Sequence, residues 1–254
     1  MFAGTGEGPA LAGRLQALGW RLRISVVEPG AARAYGGLPD LEIRVGRLGG
    51  AEALRTALDR AAALGDPFAL VVDATHPFAE RIQASLAQGS RAGRPPLVRR
   101  AREPCLPGPA ASLLPDLDGL AALDLRGSRL LLAIGARQLG AAVARSRGAL
   151  HHARLLPTAF GLQQAMAAGL PPQRVACLRP TTAGAIEAAL LRRWGIELIL
   201  ARQSGGEPER GWHRIAHRQG CRLLLLQRPA ARSDVPQLTL AELLQRLAGW
   251  PTPG

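Results

Sequence analysis

The 254-residue chain has no lysine: all 32 of its basic side chains are arginine. That absence excludes a P-loop nucleotide hydrolase, whose G-x-x-x-x-G-K-[ST] loop sets a lysine ammonium on the phosphates. Aromatic residues are few, four Trp, four Phe and one Tyr, which leaves little surface on which nucleic-acid bases could stack. The three cysteines, Cys105, Cys177 and Cys221, lie far apart without a C-x-x-C pair, so neither a disulfide framework nor a zinc ribbon is implied. A reducing cytoplasm suits such a chain. The opening "MFAGTGEG" lacks the basic region and apolar core of a signal peptide. Apolar runs such as "LLLAI" and "LLLL" fall far short of the roughly 20 residues that span a bilayer. A soluble cytoplasmic protein with no membrane partner is expected.

What the chain has in excess is positive charge, +13 at neutral pH. Such a balance draws anions: nucleic acid, an acidic surface, or a polycarboxylate or phosphate ligand. Codon usage in a GC-rich genome would give the same arginine and alanine bias, so charge names no partner.

Short apolar runs alternate with alanine-rich amphipathic stretches, the pattern of parallel βαβ units on an open sheet. Residues 21–27, "LEIRVGRL", "FALVVDA" and "PPLVRR" read as strands of a first half. "GAEALRTALDRAAALG" and "PFAERIQASLAQGSRAG" read as helices between them. Residues 101–118 carry four prolines and no clear period, and read as a linker. Beyond it the alternation resumes, with Thr181 or Thr182 expected to cap a helix and "CRLLLLQRP" as the last strand. The expected fold is α/β, two doubly wound parallel-sheet domains over residues 1–112 and 113–254. The tail helix 238–250 can pack back on the first domain.

Four strand ends carry glycine or polar residues: "GTGEG" (4–8), "DATHPFA" (73–79), "IGARQ" (134–138) and "RQSGG" (202–206). Ligands of open α/β sheets bind at such carboxyl ends, where glycines let backbone approach a phosphate. The first loop has Gly4 and Gly6 of a G-x-G-x-x-G pattern, with Pro9 in third place, and only three residues precede it. The first strand is therefore expected to be truncated. Glu28 at a strand end is either a ribose ligand or a turn residue. His76, just before Pro77, is either a neutral proton donor at a helix start or a structural histidine. Asp73 ends a buried strand and needs a partner for either role.

Other features point to no site. Arg214 replaces the glutamate that would make His213 and His217 an H-E-x-x-H pair, so both are expected on a solvated face and no metal is expected. His151 and His152 on one strand point to opposite faces. The arginine run "GSRAGRPPLVRRAR" accompanies no nucleic-acid-binding motif, and reads as a solvated or ligand-facing patch.

In order and spacing, "AGTGEG", "VVDATHPFA", "IGARQ" and "RQSGG" resemble the precorrin-6A reductase family of cobalamin (vitamin B12) biosynthesis, across nearly the whole chain. The resemblance implies two Rossmann-like domains with a cleft between them. It implies an oxidoreductase that uses NADPH, or NADH, to reduce one macrocyclic C=C bond of (cobalt-)precorrin-6A, giving (cobalt-)precorrin-6B. Gly4, Thr5, Gly6, Glu7, Arg137, Gln138, Gln203, Ser204, Gly205 and Gly206 would then line the cofactor. His76, Asp73 and Thr75 would serve the reacting carbons. Arg99, Arg100, Arg102 and Arg202 would meet the carboxylates of a polycarboxylate tetrapyrrole. Two alternatives of other classes are a non-catalytic nucleotide or tetrapyrrole binder, and an arginine-rich nucleic-acid binder with salt-sensitive affinity.

Overall fold

The computed structural model describes residues 1–91, 94–103, 105–106, 108, 110–179, 184–230 and 234–250. Thr181 and Thr182, the expected helix caps, lie outside the described residues. The chain divides into two compact units, Met1–Arg102 with Pro229–Gly254, and Glu103–Arg228.

The first unit contains α1 (Gly8–Ala17), β1 (Arg23–Val26), α2 (Pro29–Ala32), β2 (Glu42–Val45), α3 (Ala51–Ala63), β3 (Val71–Asp73), α4 (Glu80–Gly89) and β4 (Leu97–Arg100). The second contains β5 (Ala111–Leu114), β6 (Arg129–Leu132), α5 (Leu139–Arg145), β7 (Leu150–Leu155), α6 (Ala159–Ala167), β8 (Val175–Cys177), α7 (Ala185–Trp194), β9 (Leu198–Arg202), α8 (Gly206–Gln219) and β10 (Arg222–Leu226). The chain then returns to the first unit with β11 (Gln237–Leu238) and α9 (Leu240–Ala248).

These boundaries differ from a division at 112/113. Residues 101–118 are not all linker, because Ala111–Leu114 pairs in parallel with β10 as an edge strand. Its prolines hid it: Pro107, Pro109 and Pro115 bracket a run of only four strand residues. At the other end, Gln237–Leu238 pairs with Arg99–Arg100 of β4, a two-residue strand too short for any period to betray. The capping box of Thr239 and Glu242 starts α9 directly behind it.

In the first unit the parallel order is β1-β2 on one side and β11-β4-β3 on the other. Phe2 joins them, bridging Ser25 and Asp73 in parallel. Its N–H donates to the Val72 carbonyl at 2.8 Å, and the Ala74 N–H donates back to the Phe2 carbonyl at 2.8 Å. Three residues thus fill the central position that usually takes a full strand. The resulting order is β2, β1, Phe2, β3, β4, β11. Alternate residues serve opposite faces: Val72 and Val98 pack with Leu11, Leu15, Leu243 and Leu247 of α1 and α9, whereas Val71 and Leu97 pack with Leu54, Leu58 and Leu86 of α3 and α4.

The second unit is one six-stranded parallel sheet, ordered β5-β10-β9-β6-β7-β8. Its strands are near-continuous apolar runs because helices cover both faces. Leu130, Leu132, Leu198 and Leu200 serve one core, and Leu131, Ile199, Leu223 and Leu225 the other. Apart from the edge strand β5, the two units share one strand logic: Phe2 and β6 lie centrally, the next two strands (β1 and β2, β7 and β8) spread to one side, and the later ones spread to the other.

Candidate active site

In a sheet wound this way, the order reverses beside the central strand, and that switch point opens a crevice at the carboxyl ends. The first unit reverses between Phe2 and β3, so "GTGEG" and "DATHPFA" lie side by side there. The second reverses between β6 and β9, which brings "IGARQ" beside "RQSGG".

Around "GTGEG", a Cβ built on Gly4 or Gly6 meets nothing within 4 Å, so the backbone is open to a ligand. Gly8 opens α1, and a Cβ there would lie 2.1 Å from the Tyr35 hydroxyl. Tyr35 is buried beneath this loop and its hydroxyl has no hydrogen-bond partner among the described residues. Burial pushes its pKa up to about 12. Thr5 and Glu7 are engaged by arginines: Arg102 donates to Thr5 Oγ1 at 2.7 Å and reaches Glu7 at 2.9 Å, and Arg100 reaches Glu7 at 2.7 Å.

Asp73 is 1% exposed. Its Oδ1 accepts the Thr75 N–H at 3.0 Å and the Thr75 hydroxyl at 2.7 Å, and its Oδ2 accepts Arg99 Nε at 2.8 Å. Neither Thr75 nor His76 caps α4, which starts three residues beyond Pro77 with Ala79 in the cap position. Pro77 opens a turn instead, closed by the Ala79 N–H on the His76 carbonyl. His76 Nδ1 accepts the Phe78 N–H at 3.2 Å. A ring nitrogen that accepts cannot carry the proton, so the assigned tautomer is neutral with its proton on Nε2.

The arginine run is divided: Arg91 is exposed, and the other four are paired within the unit. Arg94 pairs with Asp59, Arg99 with Asp73, and Arg100 and Arg102 with Glu7. Glu28 is exposed at the end of β1, where its backbone starts α2.

In the second unit, Gly135 has φ 81°, and its built Cβ would lie 3.7 Å from Arg202 Nη1. Gly205 and Gly206 have φ 68° and 67°, the left-handed region that other residues enter only at a cost. They turn the chain sharply from β9 into α8. Arg202 donates to Gln138 Oε1 at 2.8 Å, and Arg137 is exposed beside them. Burial first, then the charge of Arg137, pushes the Arg202 pKa down to about 10. Ser204 is buried, and Gln203 Oε1 accepts the Arg228 N–H at 3.3 Å.

Two residues of this frame had no sequence signal of their own. Tyr35 looked like any loop aromatic. Glu209, fully buried, accepts the Gly205 N–H at 2.6 Å and the Cys105 N–H at 3.0 Å; its spacing from Gly205 was the one available clue. The histidines set aside above separate as well. His217 is exposed, while His213 is largely covered beside Glu209. His151 bonds Ser146, and His152 packs on Trp194. Among the described residues, no helix is long and apolar enough to cross a membrane.

Two Rossmann-like units, each presenting a paired loop at its switch point, define a doubly wound α/β protein. Residues 1–248 match the family described as precorrin-6x reductase CbiJ/CobK, and the chain belongs to it. A cobalt-precorrin-6A reductase of Synechocystis sp. is 31% identical over 234 residues, covering 90% of this chain and 87% of its own. A precorrin-6A reductase of Mycobacterium tuberculosis is 30% identical over 254 residues, covering 98% and 95%. The solved structure of a CobK precorrin-6A reductase superposes with a TM-score of 0.75 at 27% identity, covering 100% of this chain and 98% of that one.

Proposed function

We propose that this protein reduces one C=C bond of precorrin-6A, or of its cobalt complex, to the 6B form in cobalamin biosynthesis, in the cytoplasm and with a reduced nicotinamide cofactor. The observation that carries the reading is the position of all four family loops at the two switch points of a chain matched to the family over residues 1–248. The loops fit a dinucleotide, because Gly4 and Gly6 leave open space where a phosphate must come close to backbone. When bound, the nicotinamide supplies a hydride; the protein's part is placement, charge and the proton.

His76 is the proposed proton donor to the carbon beside the reduced one. Its ring is oriented by the Phe78 N–H, which donates to Nδ1. Asp73 and Thr75 are positioning residues: each satisfies the other, and together they set the turn that carries His76. Arg99 holds Asp73, and Arg100 and Arg102 hold Glu7 and the glycine loop. A macrocycle carboxylate would have to displace Glu7 to reach the latter two. Arg137 and Arg202 are the proposed anion ligands, since an incoming carboxylate or phosphate relieves their mutual repulsion. Gln138 orients Arg202, and Gln203, Ser204, Gly205 and Gly206 shape the adjoining backbone.

NADPH is the proposed donor, its extra phosphate suiting an arginine-rich site; Glu28 favours NADH. Purified protein with precorrin-6A should oxidise the cofactor and change the macrocycle's absorption, with a lower KM for NADPH than for NADH. Binding of both ligands without turnover would leave a non-catalytic binder in its place.

A further inference from the structure

A second cluster lies in the first turns of α8, next to the "RQSGG" loop. Cys105 Sγ, a carboxylate oxygen of Glu209 and a ring nitrogen of His213 all lie within 4.8 Å of one another. All three belong to the second unit. We propose that Cys105, Glu209 and His213 bind one divalent transition-metal ion of the zinc or cobalt class, leaving a further coordination position open.

The donor set selects the ion. Thiolate, imidazole and carboxylate together suit borderline-soft zinc-like ions, whereas Mg2+ and Ca2+ take oxygen ligands. Bonds of 2.0–2.3 Å at tetrahedral angles space ligand atoms by about 3.3–3.8 Å, so the side chains need to close by only about 1 Å around an ion. Glu209 and His213 stand four apart on α8, hence on one face of the helix. Cys105 comes from the segment that leads into β5. Glu209 is held in place by the N–H groups of Cys105 and Gly205, and each carboxylate oxygen keeps a lone pair for a metal. His213 Nε2 is buried, has no hydrogen-bond partner among the described residues, and lies 3.8 Å from Glu209 Oε1.

Charge also balances. A thiolate, a carboxylate and a neutral imidazole cancel a 2+ ion. Without metal the thiol is held protonated, first by burial and then by the charge of Glu209. The ion reverses that preference and releases the thiol proton to solvent. The charged groups around the thiol are Glu207, Glu209 and Arg210 of α8, with Arg228 after β10.

The test uses the full chain with the exposed Cys177 replaced by serine, so that it does not compete for metal. Zn2+ is titrated against a chromophoric chelator, and Co2+ is followed by its absorption spectrum. One ion should bind per chain, and the Co2+ complex should show a thiolate-to-cobalt charge-transfer band in the near ultraviolet. Cys105→Ser should abolish that band, and Cys105→Ser, His213→Ala and Glu209→Gln should each weaken Zn2+ binding about 100-fold or more. Millimolar Mg2+ should not compete. Zn2+ binding unchanged in His213→Ala, whose folding is checked by its melting curve, overturns the proposal. So does a Co2+ complex without the thiolate band, or the absence of stoichiometric binding.

Discussion

Arginine is used differently at the two switch points. In the first, Arg99 meets Asp73, and Arg100 and Arg102 converge on Glu7, so positive charge is spent on holding loops in place. In the second, Arg202 and Arg137 stand close enough to repel, and Arg202 rests on the neutral amide of Gln138. A buried guanidinium pressed by a second positive charge lowers its energy when an anion arrives. The same residue type is thus internal scaffold at one switch point and the proposed anion ligand at the other, although both strand orders are alike. Net charge alone does not distinguish these uses; the position of nearby carboxylates does.

The sharpest way to break this contrast is Arg99→Met. Removing one partner of a buried pair leaves Asp73 uncompensated, which should cost about 3–5 kcal/mol of stability by denaturant unfolding. A small loss would mean that Asp73 is not held by Arg99. His76→Ala should next lower kcat by about 100-fold, the lower end for a lost general acid, with melting temperature unchanged. Activity unaltered across pH would return His76 to a structural role. Arg202→Met should behave as the mirror image of Arg99→Met. Stability should stay within about 1 kcal/mol, whereas KM for an anionic ligand rises about 10- to 100-fold, as for a lost charge-assisted hydrogen bond. Equal effects of Arg202→Met and Arg100→Met on KM would erase the distinction between the units. The smallest effect is expected at Gly8. Gly8→Ala drives a methyl into the Tyr35 hydroxyl and should cost about 1–3 kcal/mol, and adding Tyr35→Phe should recover part of it.

Much of the architecture was legible because period and punctuation carry it. Leu54, Leu58 and Ala61 announce α3, and the run from Leu198 to Ala201 announces a strand buried on both faces. The truncated first strand at Phe2 was expected from the three residues before Gly4, but β5 and β11 were not legible as strands. Each is too short for a pattern, and each exists because a neighbouring strand offers its free N–H and C=O groups. Site loops were legible through their glycines and through "DATHP". The partners of their polar residues were not: Asp73 is linear-sequence neighbour to Thr75 but 26 positions from Arg99, and Glu7 is 93 positions from Arg100.

By itself, then, the sequence determined the alternation of strand and helix, the four loops and their family pattern, and an arginine-only positive charge. Those features are local, set by backbone freedom and hydrophobic period within a few residues. Only the tertiary structure decided which arginines are neutralised, which ring nitrogen of His76 keeps its proton, and that Cys105 meets Glu209 and His213. Charge pairing and ligand sets depend on distances between groups far apart in the chain, and parallel strand order is what brings those groups together.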